Sequence, residues 1–471
     1  MELFYIKDLI FAINGKCITI IEDYYNIPFN GISIDSRTIK NGDVYFAIKG
    51  DRYDGHNFIV EAVEKGAIAI VCLENKINLI KSFTVNNSHI IVVGVKDTVI
   101  ALGKFAEVYR DKFKKVKIVC VTGSNGKTTT KEMLVSILNQ KGVSLSNKGN
   151  FNNRIGLPLS IFNLTSDIEY AVFEIGTSMY GEIKTLSSIL KPDIGIITNI
   201  GFSHLETFNS KSGVFQEKKE MFNNIKNNGF MVINNDDVFL STMKHKNLKI
   251  TTFALNAEAD VYAKNISMGP KRTDFKLFYR DIFINISMPV IGRFNVLNAL
   301  GAASCGISLG FSLKEIKYGI ETFVPPKMRM ETYITKTGII LINDAYNSNP
   351  SSVKESITTV LEIYSKKKIN LVLGDMLELG NKAAYHHFQL GKFLNYKNIN
   401  SIHLVGKMSL YAKKALCKEK VFYSRITCIL LKKLEQFIID INSVFLFKAS
   451  RSMQLDKLFI EFRNFLEKKG K

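Results

Sequence analysis

Residues 121–133 read VTGSNGKTTTKEM. Gly123 and Gly126 permit positive φ, so successive backbone N–H groups can point into one concavity. Lys127 brings a cation to the β/γ-phosphates of a nucleotide, Thr128 offers a hydroxyl to Mg²⁺, and a helix beginning at Lys-Thr sets its positive end behind them. The strict pattern G-x-x-x-x-G-K-[ST] places glycine at position 121, where Val121 stands. The anchor is Gly123, two residues later, so the loop is a shortened variant. Its chemistry is a grip on phosphate, which alone does not choose between motor, kinase and ligase.

Phosphoryl transfer also needs acidic metal ligands at strand ends. AVFEIGTSMYGEI ends an apolar run on Glu174, a carboxylate costly to bury unless paired or metal-bound. DIGIITNIGFSHLETF runs from a buried strand into His204 and Glu206, and Lys218, Lys219 and Glu220 follow on a helix. Alone, that histidine reads as structural and that helix as a solvated face. The segment SNKGNFNNRIGLP (146–158) is a loop rich in hydrogen-bonding groups, hemmed in by apolar patterns on both sides.

The elements that must position these groups follow an α/β rhythm. The run VKIVC (116–120) precedes the loop as a strand, and Met133, Leu134, Ile137 and Leu138 mark an amphipathic helix after it. YAVFEIG, DIGIITNIG, GFMVINND and ITTFAL are continuous apolar strands alternating with helices, which argues for a parallel sheet covered on both faces. GRFNVLNALGAASCGISLG reads as a small-residue helix. Pro325-Pro326 marks a boundary and a hinge, after which GIILINDAYNSNP, KINLVLGDM, SIHLVG and SVFLFKASRSM begin another α/β pattern. In the first hundred residues Ile32, Ile34, Val44, Phe46 and Ile48 alternate as strands do, 57–65 looks helical, and 97–112 is a helix. The N-terminus fits an amphipathic helix through Phe4, Leu9, Ile10 and Ile13 better than a signal peptide.

A chain of 471 residues exceeds one ordinary core, so about three domains are expected. With 46% hydrophobic and 23% charged residues it is a folded chain, not a disordered one. The formal charge of +20 suits nucleic acid, acidic lipid or an anionic substrate, but the basic residues are scattered and the longest run is Lys366-Lys367-Lys368. The six cysteines (17, 72, 120, 305, 417 and 428) show no CxxC pair or metal spacing and read as reduced thiols of a cytoplasmic protein. No run approaches the roughly 18–20 apolar residues of a membrane span, so no membrane insertion is expected.

In order along the chain, DSRTIKNGDVYFAIKGDRYDGHNFI, TGSNGKTTTKEM, GNFNNRIGLPLS, EIGTSMYGEI, TNIGFSHLETFNS, GRFNVLNALGA, DAYNSNPSSV, LGDMLELG and KASRSM resemble the Mur ligase family across nearly the whole sequence. Within it the resemblance is nearest to the branch adding D-alanyl-D-alanine to UDP-N-acetylmuramoyl-tripeptide. That resemblance implies three α/β domains: an N-terminal UDP-sugar-binding domain (1–97), a central mononucleotide-binding domain with a mainly parallel sheet (98–324) and a C-terminal Rossmann-like ligase domain (325–471). It implies ATP, Mg²⁺ at two sites, an acyl-phosphate intermediate, a cytoplasmic monomer acting on no nucleic acid, and a place in peptidoglycan precursor synthesis, on which cell shape and division depend.

Residue by residue, the resemblance implies that Gly123, Ser124, Asn125, Gly126, Lys127, Thr128 and Thr129 cradle the triphosphate, with Thr128 on the metal. Glu174 matches the metal-binding glutamate, His204 the second-metal histidine, and Lys218 the position of a carbamylated lysine, with Lys219 adjacent to it. Asn150, Asn152 and Asn153 match a substrate-facing loop, Asn295 and Asn298 the adenine side, and Arg329 a linker arginine near the nucleotide. Ser36 and Arg37 lie in the UDP-binding stretch. Asp344, Asn347, Asn349 and Pro350 match the motif facing ATP and the incoming dipeptide.

Phe294 stands where the family more often has histidine, and Ala449 where it has glycine before SRSM. The neighbouring reading within the family is the ligase adding the third peptide residue, which carries an arginine after Asn-Pro where this chain has Ser351-Ser352. Folylpolyglutamate synthase would need a histidine-containing C-terminal motif. From another class, a nucleic-acid-dependent P-loop ATPase would explain the charge but calls for a fuller loop and clustered basic or aromatic strips. A non-catalytic nucleotide-binding module leaves Glu174, His204 and the asparagines unexplained.

Overall fold

The computed structural model describes residues 1–18, 24–77, 90–436 and 440–469. Among these, three sheets carry the chain, beside a short antiparallel pair of Phe4–Tyr5 with Pro28–Phe29. The strand Lys117–Thr122 lies in the middle of the largest sheet, paired in parallel with Tyr170–Glu174 on one side and Ile194–Ile197 on the other. Its side chains alternate between two cores. Ile118 and Cys120 join one, while Val119 and Val121 join the other, which is why the run reads as continuously apolar.

From that strand the order runs outward through Ile194–Ile197, Phe230–Asn234, Lys249–Ala254 and Val261–Met268, all parallel, and the other way through Tyr170–Glu174 to Ser144–Ser146. The direction of travel reverses beside Lys117–Thr122, so the carboxyl ends of the three middle strands open a crevice at a switch point. Two antiparallel strands, Thr273–Tyr279 and Ile282–Met288, extend the edge beyond the expected parallel set.

The third sheet is ordered Glu331–Ile334, Ile340–Asn343, Ser443–Lys448, Lys368–Gly374, Ser401–Val405 and Val421–Ser424, antiparallel only at its first pair. The N-terminal sheet orders Lys16–Cys17, Ile91–Val95, Ala69–Leu73, Asp43–Phe46 and Gly31–Ser33. Ile34 and Ile48 fall just outside its strands. Its inner face shares one buried cluster with the central sheet, through the helix Thr98–Asp111 (Leu102, Phe105, Tyr109). Asp97 starts that helix by accepting from Val99 N and Ile100 N, both at 2.8 Å.

The N-terminal helix spans Ile6–Ile13, shorter than the apolar pattern suggests. Phe4 belongs instead to the strand pair with Phe29, and Asp8 accepts from Tyr5 N at 3.1 Å to begin the helix after it. Cys72, Cys120 and Cys305 are buried free thiols; the Cys428 side chain lies outside the described set. Among the described residues, no helix is long and apolar enough to cross a membrane.

Candidate active site

The loop between Lys117–Thr122 and the helix Lys127–Leu138 is held open from beneath. Asn199 Oδ1 accepts from Asn125 N at 3.0 Å, and Ser124 Oγ accepts from Gly201 N at 2.8 Å. Gly123 (φ 147°) and Gly126 (φ 82°) take conformations that side chains resist, and a Cβ on either would stand about 2 Å from Thr198 Oγ1 or Asn298 Oδ1. The loop faces a cavity of about 290 Å³ lined by the sequence-expected Ser124, Asn125, Gly126, Lys127 and Thr129. Lys127 Nζ folds back onto Gly123 O at 2.9 Å, and desolvation holds its pKa below the usual lysine value, opposed by Glu174.

Glu174 ends its strand beside the loop, 4% exposed. Thr128 Oγ1 donates to its Oε2 and Asn152 Nδ2 to its Oε1, each at 2.8 Å. Asn147 brackets its backbone, accepting from Glu174 N at 2.9 Å and donating to Glu174 O at 2.8 Å. A carboxylate and a hydroxyl side by side under a phosphate loop are the hard oxygen donors Mg²⁺ takes. Among the described residues no three His, Cys, Asp or Glu side chains gather to hold a metal alone. The donor set therefore fits an ion shared with phosphate oxygens, not a protein cage.

Lys218 and His204 line the same cavity. Lys218 is 2% exposed, and burial with the nearby Lys127 charge lowers its pKa to about 7. Its neighbour Lys219 turns away over the Phe215 ring. Glu217, buried beside Lys218, accepts from Gly181 N and Ile183 N, both at 2.8 Å, and so ties this helix to the start of the helix Glu182–Leu190. His204 starts a helical turn, Leu205–Phe208, in a left-handed conformation (φ 49°). Burial, Lys127 and Lys218 lower its pKa to about 4, and its Nδ1 stands 3.1 Å from Glu378 Oε2.

The opposite wall comes from the third sheet and the linker before it. Arg329 lies between Met328 (φ 59°) and Met330 (φ 53°), a strained pair of turns that aims it into the cavity. Its guanidinium stacks 4.1 Å from the Tyr346 ring and reaches Thr128 Oγ1 at 3.4 Å, while its buried Nε has no hydrogen-bond partner among the described residues. Asp344 accepts from Lys448 Nζ at 2.5 Å and Ser356 Oγ at 2.6 Å. Lys448 also donates to Asn347 O at 3.1 Å. Asn349 caps the helix Pro350–Ile363, accepting from Ser352 N, and its Nδ2 donates to Asn125 Oδ1 at 2.6 Å across the cavity. Asn125 Nδ2 in turn reaches Ser351 Oγ at 3.2 Å.

Asn295 and Asn298 are buried at one end of the cavity, bonded to one another at 3.1 Å, with half-buried Phe294 beside them. Ala449 is fully buried, its methyl occupying the space a side chain at Gly374 would need. Asn153 lines the cavity but spends its Oδ1 on Gly156 N at 2.8 Å, and exposed Asn150 lies outside. Ser36 and Arg37 are not brought to this cavity. Ser36 Oγ donates to Glu61 at 2.8 Å, and Arg37 pairs with Asp35 at 2.7 Å on the surface. Asn147, Asn199, Tyr346, Glu355, Glu378 and Lys448 escaped the sequence reading. The last two lie in the segments LGDMLELG and KASRSM, whose order along the chain was the available signal.

Three family models match the chain: "Mur ligase family, catalytic domain" over residues 28–114, "Mur ligase middle domain" over 121–306, and "Mur ligase, glutamate ligase domain" over 328–438. The chain is 32% identical over 441 residues to a protein of Bacillus subtilis (strain 168) named UDP-N-acetylmuramoyl-tripeptide--D-alanyl-D-alanine ligase, covering 92% of this chain and 93% of that one. A protein of the same name from Buchnera aphidicola subsp. Acyrthosiphon pisum (strain APS) is 36% identical over 442 residues, at 92% and 93% coverage. A crystal structure of MurF from Acinetobacter baumannii superposes with a TM-score of 0.89 at 29% identity, over 98% of this chain and 99% of that one.

Proposed function

The chain belongs to the Mur ligase family, and from that premise we propose that it joins D-alanyl-D-alanine to the carboxyl end of UDP-N-acetylmuramoyl-tripeptide, splitting ATP into ADP and inorganic phosphate. The observation that carries this reading is the single cavity between the phosphate loop and the Arg329–Asp344–Lys448 wall, where phosphate, carboxylate and amine can meet. A carboxylate oxygen of the tripeptide attacks the γ-phosphorus, and the bond to ADP breaks. The dipeptide amine then attacks the acyl carbon. The tetrahedral intermediate collapses with loss of phosphate, which keeps the former carboxylate oxygen, and the nitrogen gives up a proton as the amide forms.

Lys127 and the unpartnered Arg329 Nε are placed to offset the charge gathering on the transferring phosphoryl group. Glu174 and Thr128 would hold one Mg²⁺, and His204 with Lys218 a second, supplying positive charge that draws the phosphate oxygens together. Lys218 has an uncharged amine accessible near neutral pH, the form that adds CO₂ to give a carbamate. A ¹³C carbamate resonance in ¹³C-bicarbonate, absent from Lys218→Ala, tests that assignment. Asn295 and Asn298 face the adenine. Asn125, Asp344 and Asn347 border the nucleotide, and Asn152, Asn153 and Asn349 the acceptor and dipeptide, with Asn150 at the rim.

Residues 1–97, with Ser36 and Arg37, bind the UDP-sugar; 98–324 bind ATP; and 325–471 close over both. An acyl phosphate hydrolyses in water, so closure excludes solvent from it. The enzyme acts as a cytoplasmic monomer in peptidoglycan precursor synthesis. ADP release measured with each substrate omitted in turn tests the reading. Release should require UDP-muramoyl-tripeptide and D-alanyl-D-alanine together. Release driven by nucleic acid, with none from the peptide pair, would overturn it.

A further inference from the structure

Glu378 lies in LGDMLELG (373–380), directly after the strand Lys368–Gly374. It does not line the phosphate cavity, yet its segment docks on the turn that carries His204. Leu205 shares a buried cluster with Met376 and Leu379 of the C-terminal unit. Phe202 packs against His386 at 5.1 Å between ring centroids, and Lys382 Nζ donates to Asn209 O at 2.8 Å. The backbones nearly touch, since a Cβ on Gly380 would meet Glu206 Cα at 3.0 Å. At the centre of this contact, His204 (φ 49°) and Glu378 (φ 63°) both adopt a left-handed conformation that is uncommon outside glycine and that glutamate in particular does not favour. Such strain persists where the surrounding packing over-determines it. Glu378 Oε2 stands 3.1 Å from His204 Nδ1. A ring donating Nδ1–H to a carboxylate keeps its Nε2 lone pair for a ligand, with its orientation fixed.

We propose that Glu378 is a positioning residue. Its carboxylate, delivered by the C-terminal unit, fixes the tautomer and orientation of the His204 ring, so the phosphate-side wall is complete only while the two units are docked. This inference rests on the reading of His204 as an active-site ligand and assigns a partner to it. Docking then carries a chemical consequence beyond excluding water: the acyl-forming step waits for the unit that also brings the amine.

The test uses the full-length enzyme with Glu378→Ala, Glu378→Gln, His204→Ala and the double variant Glu378→Ala/His204→Ala. Steady-state kinetics are read alongside Mn²⁺ binding to the ADP complex by electron paramagnetic resonance. Removing such a partner from a half-exposed site should lower kcat and weaken Mn²⁺ binding about tenfold, with KM for ATP little changed. Glu378→Gln, whose amide oxygen still accepts from Nδ1–H, should stay within about threefold of wild type on both readouts. Glu378→Ala should add nothing on the His204→Ala background. Wild-type behaviour of Glu378→Ala, or a defect that persists undiminished in the double variant, would overturn the positioning role. Wild-type turnover and Mn²⁺ binding in His204→Ala would instead sink the reading of His204, and the inference with it.

Discussion

The two walls of the cavity treat charge in opposite ways. On the central wall Lys127 folds onto a backbone carbonyl, and Lys218 is buried so deeply that its pKa falls to about 7. Among the described residues, neither has a carboxylate within ion-pair distance. On the C-terminal wall Lys448 is buried against Asp344, which Ser356 and Met330 N also satisfy. Cations left uncompensated in low dielectric are expensive unless an anion arrives. The central wall is therefore built for phosphate that is absent before binding, at a cost to the free protein. On the C-terminal wall the Asp344–Lys448 pair is electrically complete beforehand and sets shape and position, and among the described residues only Arg329 on the linker joins the central cations in facing the phosphate.

The sharpest way to break this contrast is to unpair the complete wall. Lys448→Met leaves the Asp344 carboxylate buried without its cation and should cost about 3–5 kcal/mol in urea unfolding. Asp344→Asn/Lys448→Met should recover most of it, and a double variant no more stable than the single would show that the pair is not self-contained. On the central wall the effect should fall on turnover instead. Lys127→Ala should lower kcat/KM by about 10²–10³-fold without lowering the unfolding free energy. Equal losses of stability and activity would contradict that division.

A smaller effect tests the uncompensated charge itself. Lys218→Met should stabilise the ligand-free protein by about 1–2 kcal/mol at neutral pH, the gain expected when a destabilised functional group is removed. The pH dependence has a definite sign. The folded group loses its proton near 7 and the unfolded lysine near 10.5, so between these values the unfolded state binds more protons and stability rises with pH. Below about 7 the burial penalty is fully present. Lys218→Met should flatten that rise, which thermal unfolding between pH 7 and 9 reads directly, with Lys127, Glu217 and Glu174 as the charges facing the group. Smallest of all, Ser351→Ala removes one hydrogen bond from Asn125 across the cavity and should lower kcat about two- to fivefold.

The central wall was the more legible of the two. Its groups sit at the ends of continuous apolar strands, where Gly123, Lys127 and Glu174 stand out against their surroundings. The C-terminal wall depends on pairings across long stretches of chain: Lys448 meets Asp344 because the strands ending at Asn343 and Lys448 are neighbours. Arg329 is aimed by left-handed methionines, which no residue preference announces. The antiparallel edge of the central sheet escaped although Thr273–Tyr279 alternates, with Thr273, Phe275 and Leu277 buried; its partner Ile282–Met288 mixes exposed and buried positions without clean alternation. Phe4 was assigned to a helix by its apolar spacing, whereas pairing with Phe29 and the Asp8 cap move the helix start to Ile6.

The central claim is that phosphate gripped by the uncompensated wall is handed to a peptide carboxylate before the amine attacks. Tripeptide labelled with ¹⁸O in its terminal carboxylate, turned over with ATP and D-alanyl-D-alanine, tests this by mass spectrometry of the released phosphate. One ¹⁸O per phosphate is the predicted result. Unlabelled phosphate released in step with ligation would contradict the account.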